Sequence, residues 1–253
     1  MSTDAGGHGP WPEGYARVVL DTVDSTMAEA ARRAPDIDRP TWIIAKTQTA
    51  ARGRRGRTWV APAGNLNATL IFRPEATPGE AAKRSFLAAN ALYQALSIYV
   101  PAARLGLKWP NDVLLSGGKV GGILLESSGQ GPFVDWLSIG IGVNLRHTPQ
   151  GVTEAAFPPT SLFEETEADI APLDFLATLA DAYATQEAKL LRLGFQRIRE
   201  DWLSKAARLG EVITARTGRE DITGIFDTID GDGNLVLITG TGPRAIPAAD
   251  VYF

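Results

Sequence analysis

The chain contains no cysteine. Disulfides, thiolate zinc sites and a cysteine nucleophile are therefore excluded, and the lack fits a reducing compartment such as the cytoplasm. Histidine is almost as scarce. His8 and His147 are the only two, which is too little imidazole for a histidine metal site and leaves little for a Ser-His-Asp triad. Excess positive charge is missing as well: the net charge of -4 argues against a generic polyanion binder, whose whole surface would be basic. No stretch approaches the ~20 apolar residues of a membrane span, and residues 1–14 lack the basic start and apolar run of a signal peptide. There is no Gly-x-Ser-x-Gly elbow. A Walker loop around Gly118-Lys119 fails too, because Val113 stands where its first glycine belongs and Val120 where it needs Ser or Thr.

What is present is ordinary in bulk and unusual in one place. With 44% hydrophobic and 21% charged residues over 253 positions, the chain can bury a large core and needs no long disorder. Against this background the segment Gln48 to Trp59 sets Arg52, Arg54, Arg55 and Arg57 around Gly53 and Gly56. Guanidinium groups this close repel one another, and the glycines leave the backbone loose, so the segment contributes little stability by itself. An anionic ligand would remove both penalties, since arginine forks match carboxylate and phosphate oxygens and glycine lets backbone N–H groups approach them. Taken alone, the run reads first as a basic surface loop or a nucleic-acid patch.

The remaining pattern places this loop in a framework. A first strand is expected over Ala16 to Asp21, with Asp24-Ser25-Thr26 capping a helix through Met27 to Ala31. Thr41 to Thr47 reads as a buried strand leading into the arginine loop. Asn65 to Phe72 reads as a half-buried strand with Leu66, Ala68, Leu70 and Phe72 on its inner face. Pro78 opens a long apolar helix to about Tyr99. A short strand and a proline turn follow in Gly106 to Leu115, then a hairpin tip at Ser116-Gly117-Gly118, a strand from Lys119 to Glu126, and another from Phe133 to Leu145. His147 to Pro159 reads as a mobile loop. Helices are expected over Leu173 to Leu193 and Ile198 to Ala207, broken at Gly194. From about Gly210 short alternating strands with tight turns, the last running Arg244 to Val251, predict a small barrel of the SH3 kind.

Several small motifs could carry chemistry. Asn111 and Asp112 after Pro110 are common turn residues, yet a chain that gathers phosphate-binding arginines also needs a group to hold Mg²⁺. Lys119 enters a strand of small apolar residues and requires a counter-charge, either a neighbouring acid or a ligand, unless it snorkels to solvent. Glycines alternating at Gly140 and Gly142 mark the close approach of another backbone or of a ligand. Cations dominate and no nucleophile stands out, so the set stabilises negative charge between two bound substrates.

In this order the motifs resemble those of biotin protein ligases: the arginine loop at 52–59, Lys-Trp-Pro-Asn-Asp at 108–112, Lys-x-x-Gly-Ile-Leu-x-Glu at 119–126 and Gly-x-Gly-x-Asn at 140–144. The resemblance implies an α+β fold. Residues 15–207 would form a catalytic domain like that of class II aminoacyl-tRNA synthetases, with a mixed, mostly antiparallel sheet. A disordered lead (1–14) would precede it and a C-terminal SH3-like barrel (208–253) would follow. It also implies that biotin is activated as biotinyl-5′-AMP and passed to a lysine of a biotin carboxyl carrier domain, with ATP and Mg²⁺. Residue by residue, Ser25, Thr26, Gln48, Arg52, Gly53, Arg54, Lys119, Gly122 and Gly140 would bind biotin. Arg54, Arg55, Arg57, Trp59, Lys108, Asn111 and Asn144 would bind ATP, Asp112 would hold Mg²⁺, and Lys119, Arg52 and Arg54 would be catalytic. Two departures stand out: Ala51 replaces a usual glycine and Met27 a common asparagine. Members that also repress transcription carry an extra N-terminal domain; with about 15 residues before the first strand, no DNA or membrane partner is expected, and a homodimer is an open alternative to a monomer. A lipoate ligase is the nearest alternative enzyme, and a nucleic-acid-binding protein the alternative from another class. If the arginine loop closes over bound substrates, biotin plus ATP will slow tryptic cleavage at Arg52 to Arg57; cleavage at an unchanged rate would refute closure.

Overall fold

The computed structural model describes residues 11–151, 157–247 and 249–253; the first ten positions of the expected lead, 152–156 of the expected mobile loop, and Ala248 lie outside the described residues. Strand β1 (Ala16–Val23) leads through helix α1 (Thr26–Arg33) to β2 (Thr41–Gln48), and the arginine loop connects β2 to β3 (Leu66–Phe72). Helices α2 (Pro78–Ala82) and α3 (Arg84–Leu96) follow, then β4 (Leu105–Lys108), β5 (Asp112–Leu115), β6 (Gly118–Ser128) and β7 (Trp136–Val143). The single helix expected from Pro78 to Tyr99 is thus interrupted at Lys83, after a Thr77–Glu80 capping box starts the first piece. These seven strands form one mixed sheet in the order β1-β2-β3-β7-β6-β5-β4. Among neighbouring strands only β1 and β2 run parallel, joined by the crossover helix α1.

Helix α4 (Leu162–Thr166) and the long α5 (Pro172–Leu203) come next. Gly194 breaks the helical backbone of α5 with φ 75, as the sequence pattern predicts. Past that break, Phe195 packs edge-on against Phe86 of α3, ring centres 5.5 Å apart. The C-terminal strands β8 (Val212–Arg216), β9 (Asp221–Ile229), β10 (Leu235–Thr239), β11 (Gly242–Ile246) and β12 (Asp250–Tyr252) form a second, antiparallel sheet in the order β11-β10-β9-β8-β12. The single last strand expected from Arg244 to Val251 is in fact two, which pair with different neighbours, β10 and β8.

The large sheet has a helix face and a site face. Leu66, Ala68, Leu70 and Phe72 of β3, with Ile139, Ile141 and Val143 of β7, pack into the core shared with α3 and α5. The half-buried reading of β3 is corrected here: every residue of the strand is buried. Its second side, Asn67, Thr69 and Ile71, is buried too, with Thr69 bonded to Thr26 of α1 and Ile71 clustered with Ala30 of α1 and with Ala34 just beyond it. Between α3 and α5 lies a nearly dry ion pair, Arg84 to Glu187 at 2.6 Å, with side chains only 7% and 13% exposed. The Tyr183 hydroxyl donates to the same carboxylate.

Side-chain hydrogen bonds link the C-terminal sheet to loops of the large one. The Trp109 indole N–H donates to the Gly233 carbonyl at 3.1 Å, and Asp250 of β12 accepts from Arg55 and Arg57 at 2.8 and 2.7 Å. Arg84→Met strands the Glu187 carboxylate in the interior and will lower stability by about 3 kcal/mol in chemical denaturation, a loss that pairing it with Glu187→Leu will largely reverse. Asp250→Asn will speed tryptic cleavage in the arginine loop roughly fivefold, because two partly exposed ion pairs hold its tip.

Candidate functional site

A cleft of about 400 Å³ opens on the site face. Its floor follows from strand register. Asp112, Gly122, Gly142 and Asn67 stand side by side across β5, β6, β7 and β3, and Leu124, Gly140 and Thr69 form the next row on the same face. The glycines are required by what lies over them. A Cβ on Gly142 would come within 2.5 Å of the Trp59 indole, and one on Gly140 within 2.7 Å of the Met27 sulfur. Trp59 and Met27 therefore lie directly on backbone, in the close approach that alternating glycines signal.

One end of the cleft is polar and neutral. Ser25 caps α1 by accepting from the Met27 N–H at 3.2 Å, which is the capping role its position suggests. The Gln48 carbonyl oxygen accepts from both the Thr26 N–H (2.7 Å) and the Thr26 hydroxyl (3.1 Å). Thr69 donates to the Thr26 hydroxyl at 2.8 Å. Because β1 and β2 end in register, with Val23 opposite Gln48, the helix cap and the strand end meet here.

The other end is charged. Asp112 stands between two lysines, with Lys119 Nζ at 2.6 Å and Lys108 Nζ at 3.5 Å. Burial works to raise the Asp112 pKa, but the charges of Lys119 and Lys108 outweigh it and hold the carboxyl below the usual range. Burial pushes the Lys108 ammonium down despite Asp112 beside it, and its Nζ lies 4.9 Å from the Phe157 ring centre. The counter-charge that Lys119 needs is thus a neighbouring acid. Both Asp112 oxygens face ammonium groups, so this carboxylate could take the expected role of a Mg²⁺ ligand only once a lysine parts from it.

The arginine loop is a small hairpin. Arg52 bridges to Thr58, the Gly53 N–H donates to the Arg57 carbonyl at 2.7 Å, and Arg54–Gly56 make a tight turn in which Arg55 takes φ 56. The Gly53 N–H is therefore spent within the loop. Arg52 pairs with Glu126 at 2.9 Å. Among the described residues Arg54 alone of the four arginines makes no ion pair; it bonds the Asn111 carbonyl oxygen at 3.4 Å, and burial pushes its pKa down. Asp250 is held below the usual carboxylate range: burial opposes this, but the Arg57 hydrogen bond and the charges of Arg57, Arg55 and Arg54 prevail.

Every residue expected at the site lines this cleft except Arg55, which turns to Asp250. Asn144 lines it with its amide already engaged, donating to the Thr160 carbonyl at 2.9 Å and accepting from Asn65. Asn111 likewise donates to the Ile123 carbonyl. Sequence reasoning missed Asp250, Asn67 and Phe157. Asp250 carries no local signal, being 195 positions from Arg55; Asn67 sits on the polar side of an alternating strand that reads as solvent-facing.

Comparisons with known proteins bear on the family of the chain. The model of the Biotin/lipoate A/B protein ligase family matches residues 19–144, and that of the Biotin protein ligase C terminal domain matches 209–253. The biotin--[acetyl-CoA-carboxylase] ligase of Paracoccus denitrificans is 52% identical over 93% of this chain and 99% of that protein. The bifunctional ligase/repressor BirA of Bacillus subtilis (strain 168) is 31% identical, over 92% of this chain and 71% of its own length. The solved biotin protein ligase from Aquifex aeolicus in complex with biotin and ATP superposes with a TM-score of 0.80 at 27% identity, covering 93% of this chain and 97% of that one. With four ordered motifs, a cation-lined cleft and a relative matched along almost its whole length, the chain belongs to the biotin protein ligase family.

Proposed function

We propose that the protein activates biotin with ATP and transfers it to a lysine of a biotin carboxyl carrier domain in the cytoplasm. The observation that carries this reading is the division of one cleft into a neutral hydrogen-bonding end and a cationic end. The neutral end, Ser25, Thr26 and Gln48, suits the ureido ring and tail of biotin. The cationic end suits a carboxylate meeting a triphosphate.

In the first step a biotin carboxylate oxygen attacks the α-phosphorus of ATP; the bond to the β-phosphate breaks and pyrophosphate leaves. Bringing an anion onto a polyanion is an electrostatic problem, and Arg52, Arg54 and Lys119 solve it by screening. Lys119, about one-quarter exposed, can exchange Asp112 for the reacting oxygens, while Lys108, only 5% exposed, stays to neutralise Asp112. Trp59 offers a flat face to the nucleotide, and the arginine hairpin closes over the mixed anhydride and keeps water away. In the second step a neutral acceptor amine attacks the acyl carbon, the acyl–oxygen bond breaks, AMP leaves and the new amide nitrogen gives up a proton. Magnesium bound to the nucleotide would add to this screening of the phosphates.

The catalytic part is read as the core of class II aminoacyl-tRNA synthetases and the C-terminal sheet as an SH3-like barrel, in support of which stand the mixed seven-stranded and antiparallel five-stranded sheets. The wild-type protein will catalyse ATP–pyrophosphate exchange that depends on biotin and not on lipoate; dependence on lipoate would assign the other branch of the family. Lys119→Ala will lower that exchange on the order of 100-fold or more with the fold intact by circular dichroism, and undiminished exchange would remove Lys119 from the reaction.

A further inference from the structure

Lys119 reaches the cleft because its strand is out of step. Strand β6 pairs with β5 as Asp112 to Gly122 and Val113 to Gly121, but the next pair is Leu114 with Lys119, so Val120 is the extra residue of a β-bulge. Strict alternation from Gly122, which lies against Trp59 and the Lys119 side chain, would turn Lys119 toward the core. Instead Val120 joins the apolar core, Gly121 backs onto Leu92, and Lys119 points to Asp112. The bulge thus puts two consecutive residues on the core side and aims Lys119 at the site.

A bulge leaves backbone groups without ladder partners, and in a buried strand other groups must bond them. The Asn144 N–H donates to the Val120 carbonyl at 2.8 Å, and its side-chain amide donates to the Lys119 carbonyl at 3.4 Å. Pro158 and Thr160 supply the rest. The Lys119 N–H donates to the Pro158 carbonyl at 2.8 Å, and the Thr160 N–H donates to the Lys119 carbonyl at 3.0 Å. Gly118 lets this segment come close, since a Cβ there would stand 2.9 Å from the Thr160 Cβ.

Thr160 is only 7% exposed, and its hydroxyl donates to Glu165 Oε1 at 3.1 Å. Arg104 pairs with the other oxygen of that carboxylate, and its Nε donates at 3.0 Å to the hydroxyl of Ser116, in the turn between β5 and β6. One chain of bonds therefore runs from this turn through Arg104, Glu165 and Thr160 back to the Lys119 backbone. Arg104, Thr160 and Glu165 do not line the cleft, so they act on a ligand there only through another residue.

We propose that Thr160 is a positioning residue for Lys119: its bond to Glu165 fixes the 158–160 segment against the bulge and so sets where the lysine ammonium meets the reacting oxygens. A charge that acts on the transition state loses most of its effect when displaced by about 1 Å. This rests on the ligase reading above and adds to it a determinant outside the cleft.

The test uses the full chain with Thr160→Val, which keeps the shape and removes the hydroxyl, and Thr160→Ser, which keeps the hydroxyl. In biotin-dependent ATP–pyrophosphate exchange Thr160→Val will lower kcat roughly tenfold, with the KM values for biotin and ATP moved less than about twofold. Thr160→Ser will restore kcat to within about threefold of the wild type. In a Lys119→Ala background the same Thr160→Val change will cost less than about twofold, because the group it positions is gone. A tenfold loss that persists without Lys119, an equal loss in the Val and Ser variants, or a Thr160→Val kcat equal to that of the wild type overturns the assignment. If the wild type shows no biotin-dependent exchange, it is the ligase reading that fails. Amide hydrogen exchange then still tests the contact: the Lys119 N–H will exchange roughly tenfold faster in Thr160→Val, with the Ile139 N–H in the sheet core unchanged. Equal protection of Lys119 in wild type and Thr160→Val refutes positioning by Thr160.

Discussion

Arg52, Arg54, Arg57, Lys108 and Lys119 share one cleft, and without a bound anion their repulsion has to be offset from within the protein. Carboxylates from three strands do this: Glu126 of β6 takes Arg52, Asp112 of β5 takes both lysines, and Asp250 of β12 takes Arg57 together with Arg55. The pairs differ in how easily they part. Arg52 and Glu126 are substantially exposed, so water screens them and the bond is weak. Lys108 and Asp112 are both nearly enclosed, where separating charges is expensive. The cleft thus carries a nearly enclosed pair at its base and more loosely held cations around it.

Backbone geometry supplies the rest of the site. Gly122, Gly140 and Gly142 remove side chains from the middle of a well-ordered sheet, and Met27 and Trp59 settle into the space. A sheet with one helix-packed face and one site face explains why β3 is buried on both sides while still lining a cleft, and why β7 is only partly buried at Gly140 and Gly142. The core holding α3 and α5 against the other face is continuous with the apolar side of the C-terminal sheet. Through Asp250, Trp109 and that shared core, the C-terminal sheet helps to position the turn that carries Asn111 and Asp112 and the tip of the arginine hairpin.

Most strands and helices were legible because apolar periodicity reflects burial, as at Leu66, Ala68, Leu70 and Phe72. The reading failed where burial had a second cause. Asn67 and Thr69 look solvent-facing in sequence because they are polar, yet they are enclosed by another part of the site. The break at Lys83 was hidden because a capping box and a proline at the helix start promote a first turn without stating where it ends.

Local chemistry in the chain determined by itself that charge would gather at residues 52–57, that backbone would be approached closely at 140 and 142, and that Lys119 needed a counter-charge. These follow from residue type and near neighbours. Only the tertiary structure decided which acid met which cation, that Asn144 would be occupied while Asn67 stayed unpaired, and that Asp250 from the far end of the chain would pin the arginine loop. Partners like these are chosen by strand register and sheet packing, which bring together groups up to 195 positions apart and leave no trace in the residues on either side of them.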